Sequence, residues 1–216
     1  MIGRRVRGAW LMGLMVLAAG LPATASGATP ANDWIGILAP ASAGSRATCS
    51  LGGAVGVDVS SSVWVAVAGG NFLDIVQVGA QVTPDGRRFF AAYGRGTPHG
   101  PDSLYVEEDL GPADARSHAY EVSLVDAEWT FSIDGAVRLT VPDTFRTWQA
   151  RWTEVATETS GRDDLLGGTK LRPVACSGAR ALHGTWQTES WAFFGYGAKA
   201  AAARSRFGSD RFAIWR

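Results

Sequence analysis

Gln77 is the only residue with a hydrogen-bonding side chain in the run Ile75-Val76-Gln77-Val78-Gly79-Ala80, which otherwise reads as a strand buried on both faces. An unpartnered buried amide costs about 1 to 3 kcal/mol, so a second polar group or a water-filled cleft is expected against it. A partner is offered 77 residues downstream, in Trp148-Gln-Ala-Arg-Trp-Thr-Glu-Val-Ala-Thr-Glu158. Strand alternation puts Trp148, Ala150, Trp152, Glu154, Ala156 and Glu158 on one side of that segment. The resulting face is aromatic and acidic, the character of a groove rather than of a core. A carboxylate and a carboxamide converging on one water and one carbonyl have a defined chemistry. The carboxylate takes a proton from water and later returns it to the leaving amine, while the amide N–H donates to the developing oxyanion. The same groups also suit a binding surface, where indoles stack on apolar sugar faces and acids and amides bond hydroxyls.

Most other constellations are absent. His99, His118 and His183 have no i, i+4 or cysteine-containing spacing, which argues against a metal site built on His or Cys. His118 opens a strand, where a hydrogen-bonded structural role is expected. No Gly-x-Ser-x-Gly elbow occurs, and a Ser-His-Asp triad stays open only because its members need not be close in sequence. Gly94-Arg-Gly96 lacks the third glycine of a dinucleotide loop. The acidic runs Glu107-Glu-Asp109 and Asp163-Asp164 read as solvated loop charges, with calcium ligation as the alternative. No cofactor and no metal are expected.

The elements that must position these residues read as β. Trp34 to Leu38 fits a first strand, and the rest of residues 26–47, rich in Ala, Gly, Ser and Pro, reads as extended connection. Val63 to Ala68 and Leu73 to Val82 are strands around a Gly69-Gly-Asn71 turn. Thr83-Pro-Asp-Gly86 is a turn with Gly in its last position, leading into Phe89 to Tyr93. Further strands are expected at Tyr105-Val106, His118 to Val125, Trp129 to Ile133, Ala136 to Val141, Thr147 to Glu158, Thr169 to Ala175, Gly184 to Phe194 and Arg211 to Trp215. Asp134-Gly135 is the strongest hairpin signal. The one stretch with helical composition is the alanine-rich segment 197–206, which has no apolar periodicity and fits a short helix or a loop. About ten short strands with turns every 8 to 12 residues predict an all-β antiparallel sandwich, as a single domain over residues 48–216.

Arg4, Arg5 and Arg7, the apolar segment Ala9 to Leu21 and a small-residue cleavage site at Ala23-Thr24-Ala25 or Ser26-Gly27-Ala28 read as a secretion signal, expected over residues 1–25, with a retained anchor as the lesser alternative. The apolar segment has 13 residues, too short for a comfortable membrane span. Its removal takes three arginines and no acid from a balanced chain, leaving a net charge of −3. No basic stripe suits a nucleic acid. Cys49 and Cys176 both lie in the exported part, so a disulfide is expected between them, with two free thiols as the alternative. The expected product is a secreted monomer with no membrane insertion, acting on a polypeptide or carbohydrate ligand.

The segments Val63-Trp64-Val-Ala-Val-Ala-Gly69 and Asp74-Ile-Val-Gln77-Val-Gly79 resemble the glutamic peptidases, or eqolisins. In that family a tryptophan strand precedes the catalytic glutamine, in a pattern like Ile-Leu-Gln-Thr-Gly. Glu154-Val-Ala-Thr-Glu158 followed by Asp163-Asp164 matches the Glu-Trp-Ile-Val-Glu segment that carries the family's catalytic glutamate, with Val155 in place of tryptophan. The resemblance covers residues 60–95 and 148–170. It implies a bent, concanavalin-like sandwich, with Gln77 and Glu154 as the catalytic pair. Two positions depart from the family: Ala91-Ala-Tyr93-Gly-Arg95 keeps only the tyrosine of a Tyr-Glu-Trp-Tyr-Pro element, and Ala68 replaces an aspartate. A second registration, aligning Arg151-Trp152 with the Glu-Trp pair, keeps the tryptophan and loses the catalytic acid. The substrate-binding set is Trp64, Tyr93, Trp148, Trp152 and Glu158, although Trp64, between valines, also fits a core position as Trp129 does. Two functions follow. One is a recognition module for a carbohydrate or extended polymer, which the missing acidic and aromatic element favours. The other is an endopeptidase active at acid pH.

Overall fold

The computed structural model describes residues 33–40, 42–56, 60–69, 74–94, 104–143, 150–159, 168–197 and 203–215. The signal segment, the Gly69-Gly-Asn71 turn beyond Gly69, His99, Trp148 and Asp163-Asp164 lie outside them. The described chain is all β, and the strands make two antiparallel sheets.

The first sheet contains β1 (Asp33–Pro40), β3 (Ser61–Gly69), β4 (Ile75–Thr83), β5 (Gly86–Gly94), β6 (Val106–Pro112), β10 (Ala150–Thr159) and β14 (Ala192–Tyr196), in the order β14-β1-β10-β3-β4-β5-β6. The second contains β2 (Gly44–Ser50), β7 (His118–Val125), β8 (Glu128–Ile133), β9 (Ala136–Pro142), β12 (Arg172–His183), β15 (Arg204–Gly208) and β16 (Arg211–Trp215), in the order β15-β16-β12-β2-β7-β8-β9. The short strands β11 (Gly168–Thr169) and β13 (Thr185–Gln187) also pair with β12. The fold is the bent antiparallel sandwich of the concanavalin kind. Register shifts at Ala150/Trp152, Arg88/Phe90 and Ser177/Arg180 are the bulges that bend such strands.

The main core lies between the sheets. Ile35, Ile37, Val63, Val65, Val67, Val76, Val78 and Val155 of the first sheet meet Tyr120, Val122, Phe131, Ile133, Phe212 and Ile214 of the second. β3 is buried at every position, because its alternate residues belong to a second, smaller apolar cluster on the far face of the first sheet: Trp64, Ala66, Phe90, Ala92 and Ala156. A strand apolar on both faces is what the continuous run Val63 to Ala68 encodes.

Cys49 and Cys176 form a disulfide, directly opposite each other on β2 and β12 and 127 residues apart in sequence. His118 is a structural histidine held by two carboxylates, with Nδ1 2.7 Å from Asp134 and Nε2 3.0 Å from Asp114.

Two readings of the sequence differ from the structure. Gly44–Ser50, expected in part as extended connection, is strand β2 in the middle of the second sheet; its small and polar residues conceal an alternation in which Ala47 and Cys49 point inward. Arg204 to Arg206, the end of the alanine-rich segment, belong to strand β15, paired with β16 from Arg204↔Trp215 to Gly208↔Arg211, while residues 198–202 lie outside the described residues. For Arg204 to Arg206 sheet pairing outweighs helix propensity, which is worth only tenths of a kcal/mol per residue.

Candidate functional site

The far face of the first sheet is organised in rows that run across the strands. One row contains Leu38 of β1, Glu154 of β10, Ala66 of β3, Gln77 of β4, Ala92 of β5 and Glu107 of β6. Gln77 and Glu154 therefore stand on the same face, two strands apart, with a Cα separation of about 10 Å. Only the methyl group of Ala66 rises between them. Ala92 flanks Gln77 on its other side.

The next row has Gly36, Ala156, Trp64, Gly79 and Phe90. Trp64 is 2% exposed and forms the floor. Gly79 is required beside it, because a Cβ there would stand 2.0 Å from the Val63 carbonyl oxygen and 2.8 Å from Trp64 Cβ. A third row contains Tyr196, Trp34, Glu158, Ser62, Gln81 and Arg88. On the other side of Glu154 come Pro40, Trp152, Ala68, Ile75 and Gly94.

The strand that carries the acids is pinned from several directions. The Ser45 hydroxyl on β2 donates to the Glu154 backbone carbonyl at 2.9 Å. Thr157 Oγ1 donates to the Ser62 carbonyl at 2.6 Å. Ser42 and Thr153 share a 2.7 Å hydroxyl contact. These bonds occupy the core-side polar groups of β10 and leave its acids facing outward.

Glu154 is 2% exposed, and its Oε1 has no hydrogen-bond partner. Burial, reinforced by the charge of Glu158, pushes its carboxyl up to about 8, so it is mainly protonated at pH 7. Burial and the charge of Glu107 push half-buried Glu158 up to about 7. The Trp64 indole N–H faces Glu158 and pulls that value back down, without reaching full hydrogen-bond geometry. The Gln77 amide, 7% exposed, donates to the Tyr105 hydroxyl at 3.3 Å. Burial and the charges of Glu107 and Glu158 raise the Tyr105 phenol. Gln81 and Arg88 both donate to Glu107 Oε1, at 2.9 and 3.0 Å.

The chain resembles the eqolisins in fold. It superposes on scytalido-glutamic peptidase bound to a transition-state analog inhibitor with a TM-score of 0.58 at 13% identity. A second structure of that peptidase, with a peptide-based transition-state analog, gives 0.53 at 15%. SCP-B, an eqolisin solved with the tripeptide Ala-Ile-His, gives 0.57 at 14%. Each comparison covers 86% of this chain and 98% of the other. Identity this low shows a shared fold. No protein-family description and no curated protein sequence matches the chain.

Of the residues singled out in the sequence, Gln77, Glu154, Glu158, Trp64 and Trp152 share this face. Tyr93 does not. It pairs with Val76 on the core side of the sheet, its ring 6.0 Å from that of Phe131 and its hydroxyl 3.5 Å from Glu108 Oε1. The tyrosine beside Gln77 is Tyr105. Trp34, Gln81, Glu107 and Tyr196 also belong to the face and escaped the sequence reading. Gln81 follows from period 2 along β4, counted from Gln77. The others depend on strand order, which no local pattern shows.

Proposed function

We propose that this sheet face binds an extended polypeptide and that Gln77 and Glu154 hydrolyse a peptide bond in it. The observation that supports this most directly is their row: a carboxyl and a carboxamide on one face, separated by one alanine. In the ionised form, Glu154 takes a proton from a water whose oxygen attacks the carbonyl carbon. Gln77 Nε2 turns from Tyr105 to donate to the oxyanion that forms. As the tetrahedral species collapses, the C–N bond breaks and Glu154 passes its proton to the leaving amine. One carboxylic acid and one amine result, and Glu154 returns to its ionised form.

The base must be ionised to act. With Glu154 pushed up to about 8, its basic form grows as pH rises through that value, so the cleavage rate should rise with it. The acid optimum expected from the sequence is the opposite outcome of the same measurement. The disulfide supports an exported protein, and a monomer suffices because both groups come from one chain.

Recognition of a carbohydrate or polymer without cleavage is the second reading. On its side stand the near-complete burial of Glu154 and the alanines at positions 68 and 92, which offer no polar group of their own to position the pair. One experiment separates the two. The full secreted chain is incubated with denatured proteins from pH 3 to 9, and products are read by mass spectrometry. Hydrolysis is expected in the wild type and lost in both Gln77→Ala and Glu154→Gln. Binding of an intact polymer with no cleavage at any pH would establish the second reading instead.

A further inference from the structure

Four residues along β10 from Glu154, about 13 Å away at the strand rise, Glu158 lies between Trp34 of β1 and Ser62 of β3. Trp34 pairs in turn with Tyr196 of β14, their ring centroids 6.0 Å apart. Trp34 and Glu158 are half-buried and Tyr196 is 62% exposed, so the row opens to solvent at its β14 end.

The charge on this face is not balanced. Arg88, at the other end of the row, is engaged by Glu107 at 3.0 Å and Asp109 at 3.7 Å. Among the described residues, no cation pairs with Glu158. The groups that act on it are Glu107 and the buried Trp64 indole N–H. Deeper in the same face, the Glu154 carboxyl is nine-tenths buried with an oxygen that has no partner, and the charge of Glu158 reaches it. Glu158 thus lacks a counter-charge where two aromatic rings border the opening, and Glu154, deeper in the face, supplies none.

We propose that Tyr196, Trp34 and Glu158 form a subsite for a cationic side chain, the guanidinium of arginine or the ammonium of lysine, carried by an extended polypeptide lying on the sheet. This rests on the polypeptide-binding reading above, and not on cleavage. The rings offer π faces to the cation and the carboxylate supplies the charged hydrogen bond. Arginine fits better than lysine, since its planar guanidinium can stack on an indole and bond a carboxylate at once. Glu158 is pushed up to about 7, so the preference for a cationic residue should strengthen between pH 6 and pH 8, as that carboxyl ionises.

The test uses the full chain carrying Glu154→Gln, which removes the proposed base and so keeps peptides intact. Calorimetry compares ten-residue Ala/Ser peptides that differ only in one central residue: Arg, Lys, Gln or Glu. The Arg peptide is expected to bind at least about tenfold tighter than the Gln peptide. Adding Glu158→Gln should abolish that advantage, whereas Glu121→Gln, on the outer face of the other sheet, should leave it. Circular dichroism of each variant shows that it is folded, and Trp34→Leu gives a second route to the same loss. Equal affinity for the Arg and Gln peptides, no binding of either, or an Arg advantage that survives Glu158→Gln would overturn the subsite. Because the binding chain cannot cleave, an Arg advantage without hydrolysis by the wild type would refute the cleavage reading and leave the subsite standing.

Discussion

Glu154 is where the proposed chemistry and stability conflict. An unfolded glutamate titrates near 4.5, and burial pushes the folded carboxyl up to about 8. Between those values the folded chain holds a proton that the unfolded chain has released, so stability is complete below about 4.5 and declines as pH rises through 8. A shift of this size corresponds to a few kcal/mol. The thermal midpoint is therefore expected to fall from pH 5 to pH 8, with Glu158 adding to the fall up to about 7. Glu154→Gln, which keeps the shape and cannot ionise, should flatten most of that slope. A midpoint that rises over this interval in the wild type, or a slope unchanged by the substitution, would contradict the buried neutral acid. Gln77 carries a milder burden, because its amide already has the Tyr105 hydroxyl as a partner.

At the level of elements, what was legible in the sequence depended on whether the signal was local. The β8–β9 hairpin was announced by Asp134-Gly135, and both residues adopt positive φ, 53° and 76°, as a type I′ turn requires. The β7–β8 hairpin uses the same kind of turn at Asp126-Ala127, with φ of 50° and 63°, and passed unread because alanine is a poor residue for that backbone. Ala127→Gly is expected to stabilise the protein by about 1 kcal/mol, a rise of roughly 2 to 4 °C in the thermal midpoint; a fall would show that the alanine methyl group contributes packing. Alternation along β10 correctly put Trp152, Glu154, Ala156 and Glu158 on one face, because period 2 is a property of a single strand. The side on which Tyr93 falls was misjudged for the same reason. It is odd relative to Ala92, the residue opposite Gln77, and that offset depends on a cross-strand register fixed by the Pro84-Asp85 turn. β2 was hidden because a strand of Gly, Ser, Ala and Thr acquires its identity from neighbours.

Across the whole molecule, the two sheets divide the work. The second sheet carries the disulfide, which closes a loop of 127 residues between β2 and β12 and in the entropic account contributes about 5 kcal/mol. The first sheet presents one face to the core and the other to the row of Glu154, Ala66 and Gln77. Sandwich architecture was readable from the spacing of turns. The strand order β10-β3-β4, which makes two distant polar residues near neighbours, was not, since it arises from long-range pairing. The superposition on glutamic peptidases extends over nearly the whole of those chains, so what is shared is the fold. The most direct test of the pair as a working unit is a double-mutant cycle. The rate constant kcat/KM for one peptide substrate is measured at pH 8.5 in the wild type, Gln77→Ala, Glu154→Gln and the double variant. Each single change is expected to lower it by about a hundredfold or more, and the double change to be little worse than the weaker single variant. Wild-type rates in either single variant, or losses that multiply in the double, would contradict a shared site.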